Sequence, residues 1–334
     1  MFCKFLPVTK DFRRANMYYM KDGRYFYYPF IFVSPFVSGF DCTRDVFPDA
    51  KLIISDSGGY QLKAGTKTKA DWDSVLQFQE RIANIGLTLD IPPVTVKGNN
   101  HEYFDESIFN ECMEKSVINA ERMIEYKVNE KMKTFAVLQG RNYDFIDTWH
   151  RAITRNHDYD GFAIPILHIQ KQDHVKQFCE QLEFVKSLDT DFHFLGNCTR
   201  LATLVFSRLA NISKRQFTFD SSTAANALRY GTYYDPYFFI PISLSKYPSK
   251  RVNFKIDGRL PCDCPVCSNH TVRQLAYNPM LSMMHNIYII QRFNEYSSVI
   301  TKDDDEFREL LEIIVNLKHK KYFEEIVKGV LKVL

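Results

Sequence analysis

The chain has 334 residues, of which 45% are hydrophobic, 25% charged and 15% aromatic, and its formal net charge is +3. This composition excludes a wholly disordered chain, and the length suffices for one large domain with an appendage or for two ordinary domains. The net charge is too small to indicate a polyanionic partner by itself, so any nucleic-acid surface must be a local patch.

The amino terminus carries charged residues, among them Lys4 and Lys10, where a secretory signal would need an apolar stretch. No apolar run reaches the roughly 18 to 20 residues that span a bilayer. We therefore expect a cytoplasmic protein without a membrane partner.

From about residue 50 the sequence alternates short apolar runs with longer amphipathic stretches, which is typical of repeated βα units. The candidate strands are 30–34, 51–55, 87–91, 133–139, 161–167, 192–196, 216–220 and 238–244. The candidate helices between them are 71–85, 103–128, 143–156, 172–188 and 199–212. This count favours an α/β fold of the (β/α)₈, or TIM, barrel type over an open doubly wound sheet.

The cysteine-rich region sets the predicted domain boundaries. We predict a catalytic barrel domain over residues 1–245, an inserted or appended zinc-binding subdomain over 246–300, and C-terminal helices over 301–334. These helices are expected to close or pack on the barrel. No repeat, low-complexity tract or linker indicates an earlier boundary.

Polar residues stand at or just after the ends of several candidate strands: Asp56, Asp90, Gln139, Gly196 and Asp220. A single Asp in such a position is usually a helix cap or a turn residue. In a parallel barrel, however, the carboxyl ends of the strands meet, so three carboxylates and an amide would share one pocket. Like charges gathered there would shift pKa values and suit acid/base or nucleophilic chemistry.

Two glycines, Gly58 and Gly59, follow the first of these carboxylates. They would let a loop backbone approach a ligand closely, although a Gly-Gly pair is equally a simple turn. The adjacent Tyr60 offers a ring that could stack on a flat base.

Three of the eight cysteines, Cys262, Cys264 and Cys267, lie within six positions. In a reducing compartment such a cluster indicates metal binding, and three thiolates with one imidazole form a closed structural zinc site. Either His270 or His285 could supply the imidazole. With four protein ligands the metal would stabilise the fold and take no part in catalysis.

Basic and aromatic residues surround the cysteines. This pattern suits a phosphate backbone, and it equally suits a solvated basic face. The residues are Lys246, Tyr247, Lys250, Arg251, Phe254, Lys255, Arg259 and Arg273.

Taken together, the motifs resemble those of the tRNA-guanine transglycosylase superfamily, in the same order and over roughly residues 30–300. The matching segments are Asp56-Ser57-Gly58-Gly59-Tyr60-Gln61, Gln139-Gly140, Phe219-Asp220 and Cys262/Cys264/Cys267/His285. Because the family places its zinc histidine on a helix before an asparagine, the resemblance selects His285, which precedes Asn286, over His270.

The resemblance implies base exchange by double displacement, with Asp220 as nucleophile and Asp56 as general acid and base. It implies a structural zinc ion and no organic cofactor. The residues that it implies for binding the purine base are Asp90, Gln139, Ser57, Gly161, Tyr60 and Leu195.

Two departures from the family concern the substrate. The family's Gly-Gly-Leu-Ala, which contacts the 7-substituent of the base, is replaced within the segment 161–167, so the incoming 7-deazaguanine stays open. The segment Phe219-Asp220-Ser221-Ser222-Thr223, together with the absence of an archaeal-type RNA-binding domain, is more similar to the phage and bacterial branch that inserts 7-deazaguanines such as preQ0 into DNA. We therefore expect DNA as the partner.

Several alternatives remain. The first is a tRNA-modifying enzyme, and the second is a non-catalytic subunit that binds nucleic acid. A barrel hydrolase or phosphoribosyl-transferring enzyme would need a phosphate-binding glycine loop or an open metal site, and neither motif is present. Association as a homodimer or with a partner protein is left open.

Overall fold

The computed structural model describes residues 3–8, 18–23, 25–63, 71–97, 101–227, 231–243 and 258–334. Its strands are β1 (Cys3–Pro7), β2 (Phe30–Val33), β3 (Leu52–Ser55), β4 (Ile85–Leu87), β5 (Val94–Lys97), β6 (His101–Phe104), β7 (Lys133–Val137), β8 (Gly161–Pro165), β9 (Asp191–Leu195), β10 (Phe217–Ser221), β11 (Thr232–Tyr234) and β12 (Pro241–Ser243). Eight of them form one parallel sheet in the order β2-β3-β4-β7-β8-β9-β10-β1. A bridge between Val8 and Phe32 joins the two outer strands, so the sheet is a nearly closed barrel and the predicted fold is confirmed.

One barrel strand differs from the prediction. The eighth strand is β1, which lies between β10 and β2, whereas the run at 238–244 contributes β12 to an antiparallel hairpin with β11. Proline lacks the N–H that a central strand must donate, so Pro241 suits a hairpin outside the barrel. The strand β1 has no preceding helix, and a search for strand-helix alternation therefore passes over it.

The barrel strands are buried on both faces, which explains their almost continuous apolar composition. Alternate residues fill the barrel interior, and the residues between them pack against the surrounding helices. In β2, for example, Phe32 belongs to the interior core, while Ile31 and Val33 belong to the outer core.

The helices of the described residues are α1 (Pro35–Ser38), α2 (Gly59–Lys63), α3 (Trp72–Ile82), α4 (Phe109–Glu125), α5 (Tyr143–Ile153), α6 (Gln172–Ser187), α7 (Arg200–Ser213), α8 (Val272–Tyr277), α9 (Pro279–Ile300), α10 (Asp304–His319) and α11 (Phe323–Val333). Side chains of Asp71, Asn142 and Thr199 cap α3, α5 and α7 by accepting backbone N–H groups of the first turn. These caps fix where the predicted helices begin.

The loop after β4 contains an element that the sequence did not predict. The strands β5 and β6 form an antiparallel hairpin, so the helix expected from residue 103 begins only at Phe109. The alternating residues of this segment, rather than its helical spacing, set the local structure.

The C-terminal helices pack on the barrel. The helix α9 lies against α7 and β1, where the Asn294 side-chain amide donates to the Cys3 carbonyl at 3.2 Å. The helix α10 contacts α7, and α11 contacts α6. Among the helices in the described ranges, none is both long enough and apolar enough to cross a membrane.

Candidate active site and metal site

The carboxyl ends of the barrel strands surround a pocket of about 730 Å³. Asp56 directly follows β3, Gln139 follows β7 and Asp220 lies on β10. Asp90 enters from the loop after β4, a strand that ends four residues earlier than predicted. The four side chains therefore meet at one end of the barrel, as their positions in the sequence indicate.

Gly161 is separated from this pocket. It begins β8 at the opposite end of the barrel, where a Cβ atom would lie 2.7 Å from both the Phe135 ring and the Asp191 carbonyl oxygen. The structure thus gives this glycine a packing role. The carboxyl end of the same strand brings Pro165 and Ile166 to the pocket instead.

The Asp90 carboxylate is held by two donors. The Ser57 hydroxyl donates to Oδ1 at 2.8 Å, and the Gln139 amide donates to Oδ2 at 2.7 Å. A Cβ atom at Gly59 would lie 2.1 Å from the Asp90 carbonyl oxygen, so only glycine allows this approach. Burial raises the pKa of Asp90, and the two donors oppose that rise by stabilising the ionised form.

The Asp220 carboxylate is buried and anchored through one oxygen. Its Oδ1 accepts the Gly196 N–H at 2.9 Å and lies 3.3 Å from Nε2 of His193. Gly196 has a φ of 74°, a conformation that glycine adopts without strain. One carboxylate oxygen is thereby fixed by the loop that follows β9.

His193 was not predicted as a site residue. It is fully buried in the barrel, its Nδ1 lies 2.8 Å from the Thr218 hydroxyl, and its ring stacks on Phe32 at 5.1 Å between centroids. The sequence offers one signal, a single polar residue within the apolar run Phe192-His193-Phe194. Its position between the barrel core and Asp220 makes it part of the site.

The pKa of Asp56 is raised to near neutral pH. Burial, together with the charges of Asp220 and Asp90, raises its pKa to about 7, against a weaker opposing contribution from the Gly58 N–H. A carboxyl group with this pKa exchanges protons readily at neutral pH, as general acid/base catalysis requires.

The rim of the pocket contains aromatic and basic groups. Tyr60 lies there with 49% of its surface exposed, and Leu195 is half-buried on the pocket wall. The β5–β6 hairpin contributes Phe104, and the guanidinium of Arg141 lies 5.2 Å from the centre of its ring. Arg141 also pairs with Glu106, so it links the hairpin to the loop after β7.

The three clustered cysteines meet His285 of α9. The ligand atoms of Cys262, Cys264, Cys267 and His285 all lie within 4.8 Å of one another, and the three cysteine sulfurs lie 3.2–3.8 Å from Nδ1 of the histidine. The other ring nitrogen, Nε2, lies 2.7 Å from the Tyr234 carbonyl and donates to it, which leaves the lone pair of Nδ1 directed at the sulfurs. These four residues could hold a metal ion such as zinc.

His270 is outside this cluster. Its Nε2 lies 2.8 Å from the Tyr25 hydroxyl, and the two rings make an edge contact. Tyr233 instead supports the metal ligands, because its ring stacks on His285 at 3.9 Å and its hydroxyl lies 3.6 Å from the sulfur of Cys267. The choice of His285 over His270 thus agrees with the geometry.

Of the basic patch around the cysteines, only Arg259 and Arg273 are among the described residues. The others lie outside them: Lys246, Tyr247, Lys250, Arg251, Phe254 and Lys255.

No family model matches the chain. Three curated relatives are similar to it, all named tRNA-guanine(15) transglycosylase. The relative from Methanococcus aeolicus is 24% identical over 253 residues, covering 72% of this chain and 35% of the relative. Those from Aeropyrum pernix and Korarchaeum cryptofilum are each 24% identical, covering 72% and 71% of this chain and 44% and 38% of the relatives.

These similarities support the tRNA-guanine transglycosylase superfamily. The matched part covers less than half the length of each of the three relatives. Within this chain, the segments on which the superfamily resemblance rests lie at two places, the carboxylate pocket and the cysteine cluster.

Proposed function

We propose that this chain is a guanine transglycosylase, which replaces guanine in a nucleic acid by a 7-deazaguanine through a covalent bond to Asp220. The observation that carries the proposal is the meeting of Asp56, Asp90 and Asp220 in one pocket at the carboxyl end of the barrel. Three carboxylates held together can divide the work of nucleophile, proton carrier and base recognition, because each has different hydrogen-bond partners and surroundings.

In the first half-reaction, a carboxylate oxygen of Asp220 bonds to C1′ of the target nucleotide as the bond from C1′ to N9 breaks. The electron pair of that bond leaves with guanine, and the protonated Asp56 gives its proton to the departing base. Since Oδ1 of Asp220 accepts the Gly196 N–H, the free oxygen Oδ2 is the one that attacks.

In the second half-reaction, the Asp56 carboxylate takes a proton from the incoming base, whose N9 then bonds to C1′. The ester bond from Asp220 to C1′ breaks, and the nucleophile is restored. A pKa of about 7 lets Asp56 serve in both directions at neutral pH.

The base is recognised at its polar edge. Guanine presents an N1–H and an exocyclic amine, and the Asp90 carboxylate can accept from both, beside the Gln139 amide. Ser57 acts by holding Asp90, and Tyr60 and Leu195 cover the two faces of the base. Such contacts require a base that has left its stack.

The cysteine cluster holds a structural zinc ion in this proposal. Three thiolates and one imidazole complete a tetrahedral shell, which leaves no position for substrate. The ion would fix the loop over residues 262–267 against α9 and would not take part in base exchange.

The proposal also covers which polymer is modified and which base is inserted. The names of the three relatives favour tRNA, and the resemblance of the Phe219–Thr223 segment to the DNA-modifying branch makes DNA the second candidate. Apolar residues, Pro165 and Ile166, end β8 at the pocket and suit a base with a small uncharged substituent, such as preQ0.

The test measures incorporation of labelled guanine or preQ0 into unmodified tRNA, single-stranded DNA and duplex DNA. Label in one polymer alone identifies the substrate, and an Asp220→Asn variant should incorporate none and form no covalent complex. Its melting temperature and metal content should match the wild type. If Asp220→Asn exchanges the base normally, Asp220 is not the nucleophile. If no polymer becomes labelled, the result favours a non-catalytic binding subunit.

A further inference from the structure

A second cavity, of about 290 Å³, adjoins the base pocket between the loops that follow β8 and β9. The end of α10 forms its third side, through Lys318 and His319. Leu167 and His168 line both the cavity and the base pocket. A ligand could therefore extend from one into the other.

The cavity gathers positively charged and hydrogen-bonding groups from different parts of the chain. Lys318 and His319 come from α10, and His168 comes from the loop after β8. Arg200, the first residue of α7, does not line the cavity, but its charge acts on Lys318. Burial lowers the pKa of both Lys318 and His319. The neighbouring positive charges lower these pKa values further, since Arg200 acts on Lys318, and Lys318 and Arg200 act on His319.

Within the described part of the chain, no carboxylate forms an ion pair with Lys318 or Arg200. Among the described residues, the ionisable neighbours that influence Lys318 are Arg200 and the Cys198 thiol. Those that influence His319 are Lys318 and Arg200. The cavity also contains the first turn of α7, a 14-residue helix whose amino end attracts anions.

The cavity is linked to the nucleophile through one residue. His168 forms a hydrogen bond with the backbone of Gly196, and the Gly196 N–H holds Asp220. A nucleotide whose C1′ lies at Asp220 would thus have its neighbouring phosphate beside His168. The negative charge of the carboxylates in the base pocket repels a polyanion, so a cationic site next to the pocket would offset that repulsion.

We propose that this cavity binds a backbone phosphate next to the exchanged nucleotide, with Lys318 as its main cationic ligand and Arg200 as a neighbouring positive charge. The proposal rests on the proposed function, because it assumes a nucleic-acid substrate. It gives the helix α10 a role in substrate binding. The His168 and His319 side chains would donate hydrogen bonds to the same phosphate.

The test compares Lys318→Ala and Arg200→Ala with Lys328→Ala, which removes an equal charge from an exposed position on α11. The probes are fluorescently labelled single-stranded RNA and DNA oligonucleotides, with Kd measured from 50 to 300 mM salt. Each cavity variant should weaken binding by about threefold to tenfold and reduce the slope of log K against log salt by about 0.7–0.9, the contribution of one phosphate contact. Lys328→Ala should bind like the wild type.

Base exchange supplies the second measurement. Both cavity variants should raise KM for the nucleic acid and leave kcat nearly unchanged. If Kd, salt slope and KM all stay at wild-type values, the phosphate site is wrong and the proposed function stands. If the cavity variants weaken binding and lower the salt slope as expected but the wild type forms no covalent product, the transglycosylase proposal fails and the phosphate site is upheld. A Lys318→Glu variant, which adds repulsion at an exposed side chain, decides the matter if Arg200→Ala does not fold.

Inorganic phosphate distinguishes a backbone site from a site for the free anion. If the cavity serves the backbone, millimolar phosphate should compete with the oligonucleotide only weakly, and no more strongly than sulfate. Strong and selective competition by phosphate, lost in Lys318→Ala, would overturn the assignment to nucleic acid.

Discussion

The carboxylate pocket and the cysteine cluster both bring polar side chains into apolar surroundings, but their electrostatics differ. In the cluster, the ligand atoms lie within 4.8 Å of one another and the remaining nitrogen of His285 donates to a backbone carbonyl. In the pocket, burial and then the like charges of Asp220 and Asp90 raise the pKa of Asp56 to about 7. A site whose groups satisfy one another stabilises a fold, whereas a site with unresolved repulsion is suited to chemistry.

Breaking the cluster should have the largest effect on the fold. We expect Cys264→Ser to lose most of its bound metal and to be destabilised by several kcal/mol, because metal binding and folding are coupled. Metal stoichiometry and thermal unfolding, with and without a chelator, measure both. Ser57→Ala, a comparable change in the pocket, is the control and should keep its metal. If Cys264→Ser keeps its full metal content and the wild-type melting temperature, the cysteine cluster is not a structural metal site.

Asp56→Asn should act in the opposite way, with a large loss of activity and no loss of fold. Removing the proton carrier should lower kcat by about 10²–10⁴-fold. The wild-type rate should depend on a group that titrates near pH 7. A pH-rate profile without a transition near that pH, or an Asp56→Asn enzyme with normal kcat, would contradict the assignment.

The same substitution should stabilise the protein at high pH. The pKa of Asp56 rises from 3.8 unfolded to about 7 folded, so the folded state holds the extra proton and is destabilised as pH rises through that range. Asn carries no such penalty. We expect Asp56→Asn to exceed wild-type stability by roughly 1–3 kcal/mol at pH 8 and to match it near pH 4. Equal stability of the two proteins at both values would show that Asp56 is not strained in the free pocket.

His193 tests how far the pocket extends into the barrel core. His193→Phe keeps the stacking on Phe32 but removes the group next to Oδ1 of Asp220, and we expect kcat to fall about 10- to 100-fold with little change in KM. His193→Gln retains a donor and should recover part of the loss. If His193→Phe and His193→Gln have equal kcat, the donor group contributes nothing and His193 acts only through packing. Thermal unfolding checks that both variants fold.

The comparison also shows which features the sequence could predict. The sequence could indicate the positions of Asp56 and Asp220 because all strands of a parallel barrel end on the same side. A polar residue at the end of such a strand therefore faces the pocket on that side. The cysteines were found because their spacing is short. His193 was missed because its partner Asp220 is 27 residues away, and the cavity at Lys318 depends on a helix docking that no local pattern encodes.

Gly161 illustrates the limit of transferring a motif by residue type. Gly161 begins β8, where there is no room for a side chain beside Phe135 and Asp191. The residue of this strand that reaches the pocket is Pro165, four positions further along. The eighth barrel strand, β1, likewise shows that residue type alone does not determine where a segment lies in the fold. Residues 3–7 become a central strand only because β10 and β2 lie on either side of them.

The smallest effect is expected at His270, where the two histidines near the cysteines can be told apart. His285→Ala should lose the metal, because the Nδ1 of His285 lies between the three sulfurs. His270→Ala removes the hydrogen bond and the ring contact with Tyr25, so metal content should be unchanged and stability lower by about 1 kcal/mol. Both substitutions remove an imidazole close to the cysteines, so metal loss in His285→Ala alone, in a protein that thermal unfolding shows to be folded, supports ligation by His285. Equal metal loss in both variants would instead indicate that the loop rearranges around the ion and that His270 shares in binding it.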